Sequence, residues 1–92
     1  MVYYVYVLQN DKTGMVYIGF TTDLKRRFFE HKEGRSLFTR KNKKKGEWKL
    51  IYFEGYPNKK DAKGREKFLK GGSGRNYLKR QLKNYFSKKL PA

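Results

Sequence analysis

Cysteine is absent from the sequence, which excludes a disulfide framework and a thiolate metal site. Histidine occurs once, at His31, so a metal ion would need oxygen ligands, and a hard divalent cation, Mg2+ or Mn2+, suits them. No apolar run approaches the roughly 20 residues that cross a bilayer, and the N-terminus lacks the layout of a signal peptide. The expectation is a cytoplasmic protein without membrane contact. Acidic residues are the other scarcity: 8 Asp and Glu face 24 Lys and Arg, a formal charge of +16. Such an excess repels itself. A polyanionic partner explains it, because each phosphate neutralised by Lys or Arg releases condensed counterions. DNA is the expected partner, with RNA left open.

What is present suffices for one domain over 1–92 and not for two, since each core must offset its chain entropy. Hydrophobic residues make up 37% of the chain and aromatics 17%, enough to fill one core. Val2 to Leu8 is a β-branched and aromatic run ending in the turn-forming Asn10-Asp11-Lys12-Thr13-Gly14. Met15 to Phe20 is a second such run, so a hairpin is expected. Thr21, Thr22 and Asp23 offer N-caps to a helix from Leu24 to Lys32. Gly34 to Glu47, carrying Arg35, Arg40, Lys41, Lys43, Lys44 and Lys45, reads as an exposed basic loop. Trp48 to Glu54 gives a third strand. Pro57-Asn58 ends it and caps a helix from Lys59 to about Lys70, which Gly71, Gly72 and Gly74 stop. From Arg75 onward Tyr77, Leu78, Leu82, Tyr85 and Phe86 recur at helical spacing, predicting one amphipathic last helix. The order β-β-α-β-α-α describes an α+β domain, a short three-stranded antiparallel sheet with flanking helices.

Strand side chains alternate between faces, so Tyr4, Tyr6 and Leu8 share one side of the first strand and Tyr3, Val5 and Val7 the other. Pairing Tyr6 with Tyr17 across the hairpin would set two phenols side by side, with Val5, Val7, Val16 and Ile18 behind them. Gly19 shares the face of Tyr17. A strand glycine is costly unless another group must approach the backbone closely, and a phosphate is the group expected here. On the first helix Leu24, Arg27, Phe28 and His31 form one stripe, and on the second Ala62, Arg65, Glu66 and Leu69 form another, which turns Glu66 inward. Each residue alone has an ordinary explanation: cross-strand packing for the tyrosines, an incidental histidine, a salt bridge from Glu66 to Arg65 or Arg27. Together they offer a fixed cation, titratable groups and a carboxylate for one hard cation.

In order, Tyr4-Val5-Tyr6, Tyr17-Ile18-Gly19, Arg27, His31 and Glu66 resemble the GIY-YIG nuclease superfamily, and the likeness covers nearly the whole chain. The stretch from Tyr17 to His31, with Thr21, Asp23, Leu24, Arg27 and Glu30 at their places, is similar to the short stand-alone bacterial members. So is Ala62 to Leu78, with Arg65-Glu66-Lys67, Leu69-Lys70 and Gly74-Arg75. Tyr4 stands where the family name has Gly, and Phe20 where some relatives carry Lys. Asn76 lies in the region of a late Asn that several relatives have.

The resemblance implies a metal-dependent endonuclease that hydrolyses DNA phosphodiester bonds in DNA repair or recombination. It implies Tyr6, Tyr17, Arg27, His31 and Glu66 as the catalytic residues. Glu66 would hold one divalent ion, Mg2+ or Mn2+, and Arg27 would pair with the scissile phosphate. Tyr6, Tyr17 or His31 would deprotonate or orient the attacking water. Candidate nucleic-acid contacts are Gly19, the basic loop from Arg35 to Lys45, Arg75 and Asn76. A domain this small has little surface beyond its catalytic face, so DNA shape or a protein partner is expected to confer selectivity. The rival reading is a nucleic-acid-binding module on the same scaffold that does not cut. A ribosome-associated structural protein is a third, but it has no need of these residues in register.

Overall fold

In the computed structural model, β1 (Tyr3–Asn10) is the middle strand, paired antiparallel with β2 (Val16–Thr21) on one side and β3 (Trp48–Tyr56) on the other. The structure describes residues 1–33 and 46–88, so all six cations of the expected basic loop lie outside the described residues. Asn10 makes the β1–β2 turn. Its Oδ1 accepts from the backbone N–H of Lys12 at 2.9 Å and of Thr13 at 3.0 Å, and Gly14 takes a φ of 75°, which favours glycine. That loop sets a register in which Tyr6 stands opposite Gly19 and Tyr17 opposite Leu8. The expected pairing of Tyr6 with Tyr17 is thus shifted by two residues. A shift of two keeps every side chain on its face, and the two rings still meet as diagonal neighbours, with centroids 6.2 Å apart.

The first two helices begin where the caps predict. Asp23 accepts the Arg26 N–H at 3.1 Å and starts α1 (Leu24–Lys32); Asn58 accepts the Lys60 N–H at 2.8 Å and starts α2 (Lys59–Lys70). The C-terminal part differs from expectation. The one long helix is two, α3 (Gly72–Gln81) and α4 (Lys83–Lys88), divided at Leu82, whose φ of −109° and ψ of 30° leave helical geometry. The glycines do more than stop α2, because α3 starts at Gly72 and folds back tightly. A β-carbon on Gly74 would collide with the Phe68 carbonyl and the Leu69 backbone. The Tyr85 hydroxyl, donating to Gln9 Oε1 at 2.7 Å, then ties α4 to β1.

The sheet carries a layer on each face. On one, Val5, Val7 and Ile18 pack with Ala62 and Leu69 of α2 and Leu78 of α3. Burying a large aliphatic side chain there contributes about 1.5–3 kcal/mol. On the other, Tyr6, Leu8 and Trp48 pack beneath Leu24 and Phe28 of α1. Among the described residues no helix is long and apolar enough to cross a membrane.

Candidate active site

Tyr6 is the centre of the α1 face. It lies on the middle strand, 1% exposed, and its ring lies flat over Gly19 on β2. Any β-carbon at position 19 would strike the Tyr6 ring and hydroxyl. The group that needs the bare glycine backbone is therefore the Tyr6 phenol, where a phosphate was expected.

The N-cap at Asp23 fixes the start of α1 and hence which residues turn down onto the sheet. Arg27 and His31, one turn apart, both reach Tyr6. The Tyr6 hydroxyl lies 2.8 Å from His31 Nε2 and accepts from Arg27 Nε at 3.3 Å, and Arg27 Nη1 donates to Glu30 Oε1 at 3.1 Å. The His31 ring also meets Tyr17, with centroids 4.9 Å apart. His31 is 1% exposed. Burial and the neighbouring Arg27 charge push its pKa down to about 4, so it is neutral at pH 7. Burial likewise pushes the Tyr6 phenol up, against the opposing pull of its Arg27 hydrogen bond, so Tyr6 keeps its proton. Whichever way the proton between Tyr6 and His31 lies, His31 Nδ1 is buried with no hydrogen-bond partner among the described residues. Buried nitrogens of this kind are uncommon; Asn10 Nδ2, in the β1–β2 turn, is another among the described residues.

Four of the five expected catalytic residues, Tyr6, Tyr17, Arg27 and His31, thus form one contact cluster. Glu66 belongs to the other layer. As its helical stripe requires, it is turned inward, its side chain 13% exposed, but its partners are Lys63 Nζ at 3.5 Å and Lys70 Nζ at 3.1 Å. The expected alternative, a salt bridge to Arg65 or Arg27, is not what forms. Lys63 also sits 4.4 Å above the Phe20 ring, so this side of α2 runs along β2, the strand that carries Tyr17. Among the described residues no three His, Asp or Glu side chains gather to hold a metal ion. Glu66 alone still fits a hard cation bound through one carboxylate, with water and phosphate oxygens completing its shell.

Arg75 and Asn76 are exposed on α3 and not in the cluster. Arg75 lines a groove of about 600 Å³ on the aliphatic face, with Lys79, Lys83, Val7 and Leu78. Sequence reading missed Glu54. Its carboxylate takes a bidentate pair from Arg65, 2.9 Å from Nε and 3.0 Å from Nη2, and the hydroxyls of Tyr52 and Tyr56. Burial pulls the Glu54 pKa up, but these donors hold it below the usual carboxylate value. The signal was present in Tyr52, Glu54 and Tyr56 at alternate positions of one strand. This pair binds α2 to β3 one residue before Glu66.

A three-stranded sheet carries tyrosines on its first two strands and receives an Arg and a His from the next helix, and comparison with known families assigns this chain to a nuclease-type superfamily. Residues 2–84 match the GIY-YIG catalytic domain, and the chain belongs to the GIY-YIG family. Among its relatives, a UPF0213 protein of Clostridium perfringens is 38% identical over 68 residues, 73% of this chain and 69% of that protein. A UPF0213 protein of Pediococcus acidilactici is 36% identical over 83 residues, 89% of this chain and 82% of that protein. The solution NMR structure of a UPF0213 protein from Bacillus halodurans superposes with a TM-score of 0.53 at 35% identity. The match covers 92% of this chain and 85% of that one.

Proposed function

We propose that this chain is a metal-dependent endonuclease that hydrolyses DNA phosphodiester bonds, with Tyr6, Tyr17, Arg27, His31 and Glu66 as its working groups. The observation that carries this reading is the buried Tyr6 hydroxyl held between Arg27 and His31. A buried phenol and imidazole in contact with a partly exposed guanidinium add little to a core that aliphatic residues could fill, and cost desolvation. It is explained by chemistry at its rim.

The roles follow from exposure. Tyr6 and His31 are each 1% exposed, whereas Tyr17 is half-buried, so Tyr17 is the phenol that solvent reaches. Tyr17 orients the attacking water, and Tyr6 and His31 hold it from behind. Arg27 commits Nε to Tyr6 and Nη1 to Glu30, and its side chain is 34% exposed, leaving guanidinium N–H groups for a phosphate oxygen. Its charge then faces the negative charge that grows on the phosphate. Glu66 would hold the divalent ion, which supplies Lewis acidity to a phosphate oxygen and charge for the leaving 3′ oxygen. Lys63 and Lys70 must give way when it does so.

The test uses purified protein with nicked, supercoiled and branched DNA and Mg2+ or Mn2+. Arg27→Ala and Glu66→Ala should each lower cleavage on the order of 10²–10³-fold, as removal of other preorganised electrostatic groups does. DNA binding should survive Glu66→Ala. Cleavage retained by both variants would point to a contaminating nuclease.

The ion pairs of Glu66 with two lysines favour one second reading, a binding module that does not cut. Salt-sensitive DNA binding with no metal-dependent cleavage would select it.

A further inference from the structure

The α1 face of the sheet continues past Tyr6 onto β3, and there it is aromatic and open. Phe53 stands directly opposite Tyr6 on β3, yet its side chain is 52% exposed. Tyr4, two residues before Tyr6, meets Phe53 edge to face with centroids 6.2 Å apart. The Tyr4 ring lies across Gly55, where a β-carbon would press on Val2 and touch that ring. Together Tyr4 and Phe53 line a groove of about 560 Å³ with Leu24, Lys25, Phe28 and Leu50. Leu24 and Phe28 also cover the Tyr6 cluster, so the groove and the cluster share one wall. Among the described residues Asp23 is the one carboxylate at the groove, and it is engaged in capping α1.

The geometry points to a subsite for an unpaired nucleobase, formed by Phe53 and Tyr4, with Lys25 for the adjoining phosphate. The deduction rests on the nuclease reading of the neighbouring cluster, which supplies the class of ligand. Within a duplex both faces of every base are already stacked, so an exposed aromatic pair recognises only a base that has left its helix. Neighbouring strands lie about 5 Å apart, which puts the subsite within one or two nucleotides of a phosphate at Arg27. The substrate class is DNA with single-stranded character beside the scissile bond: a flap, a gap or a frayed end.

The experiment is done in EDTA, so that nothing is cut. A short single strand carrying one 2-aminopurine is titrated with the full chain, beside a duplex of the same sequence at equal salt. The single strand should bind more tightly, and the probe's emission should fall as it stacks. Phe53→Leu and Tyr4→Leu, which keep apolar bulk but remove the π face, should each weaken single-strand binding about tenfold and change duplex binding less than twofold. Phe29→Leu, equally exposed at 52% but outside the groove, should change neither. Should Tyr4→Leu disturb the fold, as seen by circular dichroism, the exposed Phe53→Leu carries the result alone. Equal losses on single and double strands, or unchanged probe emission on binding, overturns the subsite. Absence of cleavage in Mg2+ overturns the nuclease reading and leaves this binding result standing.

Discussion

On the face of the sheet that meets α2 and α3, the buried cluster is aliphatic throughout: Val5, Val7, Ile18, Ala62, Leu69 and Leu78. On the face that meets α1, the fully buried side chains include a phenol, Tyr6, and an imidazole, His31, bonded to each other and to a guanidinium. One strand supplies both, through alternate residues of β1. The contrast shows how a small domain separates its tasks: one layer is cohesive, its aliphatic cluster tied at the rim by the Glu54–Arg65 pair, and the other buries the hydrogen-bonded polar groups that are proposed to work.

The comparison is broken most severely by Leu69→Ala. Leu69 is wholly buried in the aliphatic layer, and its truncation should cost about 2–5 kcal/mol in denaturant unfolding. The Tyr6–His31 contact should be intact in whatever fraction stays folded. A loss under about 1 kcal/mol would mean that the α1 layer also holds the fold together.

Acid sharpens it next. His31 has its pKa pushed from 6.5 to about 4 in the fold. The unfolded chain therefore takes up this proton near pH 6.5 and the folded chain only near pH 4. The stability linked to His31 is complete above about pH 6.5 and is lost as the pH falls towards 4, by at most about 3 kcal/mol. As the only histidine it gives one resolved imidazole signal, which should not titrate between pH 7.5 and 5.5. A native midpoint near 6.5 would show that the α1 layer is wet. His31→Gln should flatten this part of the pH dependence of stability.

Gly19→Ala is the gentlest of the three. One methyl pushes the Tyr6 ring off its seat, for about 1–3 kcal/mol. Cleavage should fall further than stability does, since the displaced hydroxyl loses Arg27 and His31 together. Equal effects on both would reduce Tyr6 to a packing residue.

Much of this arrangement was legible in the sequence because it is written in local rules. Asp23 and Asn58 announced the starts of α1 and α2, alternation sorted β1 into its two faces, and helical periodicity turned Arg27, His31 and Glu66 inward. The losses came where long-range geometry decides. Turn chemistry at Asn10 and Gly14 set a hairpin register that the loop length alone did not fix. Closeness of α2 to α3 at Gly74 cannot be read from a run of glycines that only suggests a break. The partner of Glu54 depends on which long side chains meet between β3 and α2, and no spacing rule encodes that; the lysines that hold Glu66 stand three and four positions away on its own helix, where helical spacing does place them.

The four clustered residues all precede Glu33 in the chain, and Tyr6 and His31 are only 25 positions apart. The ribosome therefore releases that entire set before it releases β3 or Glu66. A two-stranded hairpin alone is marginal in water, and a third strand adds stability, so the arrangement of these groups becomes firmer when β3 pairs with the far edge of β1. A truncated translation product would therefore carry most of the proposed working groups and lack both the third strand that braces them and the carboxylate proposed to bind the ion.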